Sequence, residues 1–406
     1  MEPTQKLNSL PAWMAFEETM ELMDVLSVDG HEAPRFVGGC VRDVLVNRTV
    51  YDFDLATPLL PEKVMELLEA AKIKAIPTGI SHGTVTAVLN KIPFEITTLR
   101  KDIETDGRHA KVRFTSSWEE DAARRDLTFN ALFCDREGNV YDYHNGVQDL
   151  HAGRVRFIGD ASARIQEDIL RILRFFRFFA HYGRGEADEE ALSACAAHTK
   201  DIQGLSKERV TYEFLRLLEA DQAAHACQYM VDHDVMPALT DKKCNTRALE
   251  KLIRLERDWD TSYDAIRRVA VLMREHSPMF HLSNVQKKHL AILQDEDLKT
   301  KVWSDMPNFA VRQFVYDMGH DVLRDIVLLK AANEPDQAEN YLQIYQAATR
   351  CRLPKMPVIG NDVIELGVDK GKQVGDYLRQ VETWWRDKDF RPGRTECLNF
   401  LKSIVE

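Results

Sequence analysis

The chain changes periodicity once, between residues 155 and 160, and that change limits what it can fold into. Upstream, short β-rich runs alternate with amphipathic helical stretches. Downstream, strand signals fade and helical spacing of apolar residues continues to the C-terminus. The expected fold is α+β: a head with a small mixed sheet and helices, then an all-α remainder. At 406 residues the chain exceeds one ordinary core. Breaks near Pro237, 277–285 and Pro354–Gly360 subdivide the helical part. The expected units are 1–157, 158–225, 226–353 and 354–406. No internal repeat or low-complexity tract is present.

Within the head, Arg35-Phe36-Val37 reads as a strand entering a Gly38-Gly39 turn, and Val41–Val46 as the start of a helix. Glycines there let backbone N–H groups approach an anion closely. The next strand, Tyr51–Ala56, carries Asp52 and Asp54 two residues apart, on one face if the strand is regular. Two carboxylates beside a turn suited to phosphates fit a Mg²⁺–nucleotide site, because Mg²⁺ takes one or two carboxylates plus phosphate oxygens and water. Glu95, polar between Phe94 and Ile96, is the candidate third acid on a neighbouring strand. Alone, a DxD pair also fits a solvated strand edge, and Glu95 an edge-strand charge. Residues 83–89 and 93–99 read as strands joined at Asn90-Lys91, and 101–118 as a polar loop. In Arg124–Leu132 the apolar positions fit a helix packed on the sheet, leaving Arg125 and Asn130 polar near one end.

The stretch 164–179, RIQEDILRILRFFRFF, fits one amphipathic helix. With Asp168 at 0° on a wheel of about 100° per residue, Arg171, Arg174 and Arg177 fall near −60°, −120° and −180°, and Glu167 near −100°. The apolar residues occupy the other side. Ion pairs on a solvated face are one reading. The other uses polarity: an Asp accepts from an exocyclic amino group and an Arg donates to a ring nitrogen. Cytosine and adenine both offer that pattern, and uracil and guanine the opposite one. Arg177, half a turn from Asp168, would meet phosphate or another part of the substrate. At 206–213, Ser206 is an expected N-cap, with Glu208 at the positive helix end.

Bulk properties narrow the classes. A hydrophobic content of 44% argues against disorder, and no run of 18 apolar residues reads as a membrane span. The N-terminal MEPTQK lacks the features of a secretory signal. Seven scattered cysteines without a CxxC pair fit a reducing cytosol, so a cytoplasmic location is expected. The net charge of −11 opposes the usual nucleic-acid footprint, so RNA binding would be local.

Taken in order, GGCVRD with DFD (38–54), HGTV (82–85), FEITTLR (94–100), RRDLTFNAL (124–132), EDILRILRFFRF (167–178) and SKERVTYE (206–213) resemble the class II tRNA nucleotidyltransferases, the CCA-adding enzymes of the polymerase β-like superfamily. The match covers about the first 215 residues. It implies a polymerase β-like head followed by helical neck, body and tail. It also implies that Asp52 and Asp54 hold catalytic Mg²⁺, with Glu95 a third acidic group. Gly39, Arg42 and Arg125 would contact the nucleotide. Asp168 and Arg171 would read the base edge, with Arg174 and Arg177 completing the pocket. The implied activity is addition of C, C and A to the 3′ end of tRNA from CTP and ATP, with the protein as template and pyrophosphate released. A poly(A) polymerase, or a CC-adding or A-adding specialist, shares these motifs. Readings from other classes are a catalytically silent RNA-binding protein, against which the intact DxD speaks, and a small-molecule nucleotidyltransferase. The expected partners are tRNA, CTP and ATP, with no membrane, and no protein partner is readable. GNDVI (360–364) and GKQVG (371–375) are similar to the tail of some members, with Lys372 where many have proline. Lys372, Arg379, Arg386, Lys388, Arg391 and Arg394, interleaved with Tyr377, Trp384, Trp385 and Phe390, form a basic stretch that could hold a tRNA backbone or be an ordinary surface helix.

Overall fold

Eight strands form one mixed sheet in the N-terminal part of the computed structural model, which describes residues 1–106, 109–273, 279–353 and 355–405. The strands are β1 (Gln5–Lys6), β2 (Arg35–Val37), β3 (Phe53–Thr57), β4 (Lys74–Gly79), β5 (Thr84–Leu89), β6 (Ile92–Thr98), β9 (Phe133–Cys134) and β10 (Asn139–Tyr141), in the order β1-β10-β9-β2-β3-β6-β5-β4. Only the β3–β6 pair within this sheet is parallel. It needs a long crossover, supplied by helix α3 (Pro61–Ala70) with β4 and β5. Pro61 opens α3, where its missing N–H costs nothing. The β5–β6 hairpin turns at Asn90 and Lys91, with φ of +47° and +71°, the left-handed pair that a tight hairpin requires.

Alternation along β3 divides its two faces. Phe53 and Leu55 point one way, where Trp13 and Phe94 lie 5.0 and 5.6 Å from the Phe53 ring. Asp54 and Ala56 point the other way. Ala56 joins Val37, Leu99, Trp118, Ala122, Ala131, Phe133 and Ile158 in a dry cluster. One sheet face is therefore apolar at one end and acidic at the other, which anchors the carboxylates on rigid backbone.

Residues 101–118, expected as a loop, contain an antiparallel hairpin instead, β7 (Arg100–Asp106) with β8 (His109–Phe114); 107 and 108 lie outside the described residues. Helix α1 (Glu17–Leu26) precedes β2, and α2 (Gly39–Leu45) starts two residues earlier than the sequence indicates. Helix α4 (Trp118–Ala123) follows the β7–β8 hairpin. After Tyr141 the elements described are helices. They continue with α5 (Gly146–Ala152), α6 (Ala161–Glu167), α7 (Arg171–Tyr182), α8 (Glu189–Ala197) and α9 (Lys207–Leu218). Helix α7 buries Ile172, Leu173, Phe175, Phe176, Phe178 and Phe179, and Phe175 stacks on Phe157 at 5.6 Å.

The chain divides into two compact units. One contains residues up to Thr246 with the described part of His276–Leu282; the other contains the described parts of Arg247–Glu275 and Ser283–Glu406. In the second unit, Arg267 and Arg268 are buried on Glu256, with Arg267 also on Asp325 at 2.6 Å. His289 completes this group, 2.8 Å from Asp325. Near the C-terminus, Val358, Val363, Val381, Trp385, Phe390, Cys397 and Leu401 form a separate cluster. The basic residues there are largely matched: Arg379 on Asp376, Arg386 on Asp317, Arg391 on Asp389 and Arg394 on Asp362. Such pairing reduces the free positive surface that the sequence alone displays. Among the described residues no helix is long and apolar enough to cross a membrane.

Candidate active site

The site begins at the Gly-Gly turn. Gly38 has φ +70° and ψ −118°, a conformation that glycine alone adopts readily. A Cβ there would sit 3.4 Å from the Asn130 carbonyl oxygen and 3.5 Å from Arg125 Nη1. The turn thus brings the α2 backbone against the 124–130 segment. Residue 38 is the N-cap of α2 and has no side chain to cap it.

Asp54 lies on β3 directly beside Glu95 on parallel β6. Asp52 is exposed one residue before β3 begins, so the same-strand expectation holds for Asp54 and not for Asp52. Burial, then the neighbouring Glu95 carboxylate, push Asp54 up to about 6; Asp52 adds to the rise while Arg125 and Arg42 oppose it. Clustered acids with incompletely compensated repulsion are what a cation would relieve. Among the described residues no three His, Cys, Asp or Glu side chains are arranged to hold a metal by themselves. An all-oxygen set of one or two carboxylates still fits Mg²⁺, whose shell is completed by phosphate and water. Cys40, buried beneath, donates weakly to the Val37 and Asp54 carbonyls, and burial followed by Asp54 raises its thiol to about 12. It is a packing residue.

Two arginines border the carboxylates. Arg42, 8% exposed, gives Nε and Nη2 to Asp43 at 3.0 and 3.1 Å and Nη1 to Asn130 Oδ1 at 2.8 Å. Gly39 lies under its guanidinium, where an added Cβ would be 3.7 Å from Nη2. Arg125 is held by buried Asp121, with Nη2 to Oδ2 at 3.0 Å. Asp121 also accepts from Arg124 Nε at 2.8 Å and from the Arg100 N–H at 3.2 Å, at the root of the β7–β8 hairpin.

The expected helix over 124–132 is absent. Helix α4 ends just before it, and a short 3₁₀ turn covers Thr128–Asn130. The cause is Asp126, whose carboxylate accepts from the Leu127 N–H at 2.8 Å and from Asn130 Nδ2 at 3.1 Å, local bonds that compete with a helix. Asp126 also takes Arg174 at 2.6 Å. Burial alone would raise Asp126, but Arg174 and Asn130 hold it well below the usual carboxylate range.

The single helix expected over 164–179 is two helices. Asp168 sits in the break, with φ −154° and ψ 108°, and its Oδ1 accepts from the Leu170 N–H at 3.1 Å. Its Oδ2 receives Arg209 at 2.6 Å. The wheel placement of Asp168 is therefore corrected: it caps the turn into α7 and does not lie on that helix. Arg171, the first residue of α7, remains next to it, its N–H donating to the Asp168 carbonyl at 2.9 Å. The Arg171 side chain bonds Glu167 at 2.5 Å and the carbonyls of Arg164 and Arg124 at 2.9 and 3.1 Å. Arg174 spans Asp126 and Glu213, and Arg177 pairs with Glu213 at 2.9 Å. Ser206 occupies the N-cap of α9 without a side-chain cap bond.

The structure thus brings Gly39, Arg42, Asp52, Asp54, Glu95 and Arg125 to one end of the sheet. A hydrogen-bonded series Arg42–Asn130–Asp126–Arg174 links them to α7. Asp43, Asp121, Asp126, Asn130, Arg209 and Glu213 orient these groups, a role that sequence reasoning misses. The Asp121–Arg125 spacing of four is a readable signal, because it brings a carboxylate and a guanidinium within reach across one turn of chain, here at the end of α4. The long-range pairs carry no sequence signal of comparable strength.

A glycine turn, acids on parallel strands and flanking arginines define a nucleotidyltransferase head. Residues 34–156 match the family described as "Poly A polymerase head domain", and 186–240 match "Probable RNA and SrmB- binding site of polymerase A". The "CCA tRNA nucleotidyltransferase 1, mitochondrial" of Homo sapiens is 33% identical over 423 residues, covering 98% of this chain and 93% of that protein. The "CCA-adding enzyme" of Oceanobacillus iheyensis is 40% identical over 219 residues, covering 53% of each. The crystal structure of the Bacillus stearothermophilus CCA-adding enzyme in complex with CTP superposes with a TM-score of 0.73 at 25% identity, covering 96% of this chain and 97% of that one. The chain belongs to the CCA tRNA nucleotidyltransferase family.

Proposed function

We infer that this chain adds C, C and A, without a nucleic-acid template, to the 3′ end of tRNA from CTP and ATP. The observation that carries the reading is Asp54 set beside Glu95 on parallel strands, next to Asp52 and flanked by Arg42 and Arg125. The 3′-hydroxyl of tRNA attacks the α-phosphorus, the bond to the β-phosphate oxygen breaks, and pyrophosphate leaves. Asp52 and Asp54 would hold Mg²⁺, with Glu95 as the third acid; bound there, the ion would lower the hydroxyl's pKa and stabilise charge on the triphosphate.

The chain's own groups account for binding. Gly39 admits phosphate close to the backbone. Arg42 and Arg125 offer guanidinium N–H groups to the nucleotide, each already oriented by a carboxylate. Asp168 would accept the amino group of cytosine or adenine, since each carboxylate oxygen keeps a free lone pair after its present bond. The bonds that Arg171 makes to Glu167, Arg164 and Arg124 leave Nε–H and one Nη2–H for ring acceptors. Arg174 and Arg177, both paired with Glu213, would close the pocket wall. The cytoplasm is the compartment we propose, a reducing one that suits seven free thiols.

The test is extension of tRNA lacking its 3′ CCA, with each nucleotide singly and combined, followed by sizing of the products. Three additions with CTP plus ATP are expected. Long adenosine tails would indicate a poly(A) polymerase. Arrest after CC, or a requirement for pre-formed CC, would indicate a specialist.

A further inference from the structure

We propose that Tyr182, the last residue of α7, is a positioning residue for nucleotide transfer: it locks the guanidinium of Arg42 through Asp43. The inference rests on the reading of Arg42 as a nucleotide contact.

The Tyr182 hydroxyl donates to Asp43 Oδ1 at 2.6 Å. That same oxygen accepts Arg42 Nε at 3.0 Å, and Oδ2 accepts Nη2 at 3.1 Å. The carboxylate is thus held from both sides, by the phenol and by the guanidinium fork. The Tyr182 ring lies between two guanidinium groups, its centroid 4.5 Å from Arg42 Cζ and 4.3 Å from Arg48 Cζ. Arg48 in turn donates Nη2 to the His181 carbonyl at 2.5 Å, and its own N–H donates to the Asp43 carbonyl at 2.8 Å. The end of α7 therefore fixes both Arg42 and the loop that runs on to Asp52.

Consider what this leaves for a ligand. A guanidinium has five N–H donors. Asp43 takes two and Asn130 one, so one N–H on Nη1 and one on Nη2 are uncommitted. Their direction is set by Asp43 and Asn130, and Asp43 is set by Tyr182. Without the phenol, Asp43 keeps its ion pair but can turn about χ1 with Arg42 attached, and the two free donors lose their fixed aim. An aimed fork lowers the entropy lost on binding a phosphate or sugar oxygen. This effect falls on nucleotide binding and spares the acids that surround the reacting phosphorus.

The discriminating variant is Tyr182→Phe, which deletes the hydroxyl and keeps the ring over both guanidiniums. Its steady-state kinetics would be measured on tRNA ending in CC with ATP, and on tRNA lacking CCA with CTP. KM for both nucleotides is expected to rise about tenfold, with kcat within about twofold. Arg42→Lys and the double variant are measured alongside, and the double variant is expected to be no worse than Arg42→Lys. A raised KM in Arg42→Lys with an unchanged KM in Tyr182→Phe would overturn the positioning role and leave the Arg42 reading intact. An unchanged KM in Arg42→Lys would overturn that reading, and the inference with it. A lower melting temperature in Tyr182→Phe with KM unmoved would make the hydroxyl merely structural and would also overturn the inference.

Discussion

Replacing Asp126 by asparagine tests whether the link between the carboxylate cluster and α7 is built as described. The substitution keeps shape and removes one charge. In the native protein Asp126 is 7% exposed and receives the Leu127 N–H, Asn130 Nδ2 and both Nε and Nη2 of Arg174, the last at 2.6 Å. An amide there must turn its NH₂ either toward Arg174 or toward Leu127 and Asn130, so at least one donor faces another donor. Breaking a fully buried ion pair from one side costs roughly 3–5 kcal/mol. Arg174 is 31% exposed and keeps Glu213 at 3.7 Å, so solvent and a second partner offset part of that. The expected loss is about 2–3 kcal/mol, or a fall in melting temperature of roughly 5–10 °C for a unit of this size. Urea unfolding and calorimetry of the full chain would measure it. Because Asn130 joins Asp126 to Arg42, KM for CTP and ATP should rise as well. A stability change under about 0.5 kcal/mol, the level of an ordinary surface substitution, together with native kinetics, would show that Asp126 does not hold α7 to the carboxylate cluster.

Other expectations follow from the same geometry. Asp52→Ala should lower nucleotide incorporation roughly a thousandfold or more while leaving tRNA binding near native, since several kcal/mol of charge stabilisation are lost at the reacting centre; filter binding with single-turnover kinetics checks both. Gly38→Ala should cost about 1–3 kcal/mol in urea unfolding, because residue 38 has φ +70°, where a residue with a Cβ is strained even though the space around it is open enough for one. His289 is held above its ordinary value first by its hydrogen bond to Asp325. Its protonated form therefore contributes stability fully present below about pH 6.5, the unfolded value, and lost as pH rises through the folded one. The stability gap between wild type and His289→Gln should be wider at about pH 6 than at pH 8.5, and a gap independent of pH would contradict the assignment.

Sequence periodicity carries the division between a sheet-bearing head and a helical remainder, because alternation and helical spacing survive in single segments. The strand assignments around Asp54 and Glu95 are legible for the same reason, and their parallel pairing puts the two acids side by side. The two misplaced helices, over 124–132 and 164–179, share one cause. Asp126 and Asp168 both sit in stretches whose apolar spacing reads as helix, and both use their carboxylates on nearby backbone N–H groups to break it. Each is then fixed by an arginine 48 or 41 residues away. Periodicity cannot show such a bond, since nothing local in Arg174 or Arg209 marks its partner. Tyr182 is a stronger case. It lies beyond the 164–179 stretch that reads as a helix, and only the fold places its hydroxyl on Asp43. The basic C-terminal stretch shows the converse, charges conspicuous in sequence that the fold pairs with acids.

Side chains at the α6–α7 break are proposed to choose the nucleotide. The ratio of kcat/KM for CTP over UTP, measured on tRNA lacking CCA for wild type and Asp168→Ala, tests it most directly. Loss of one hydrogen-bonded base contact should reduce that ratio roughly 10- to 100-fold, with UTP incorporation rising relative to CTP. A wild-type ratio in the variant would contradict base selection by Asp168.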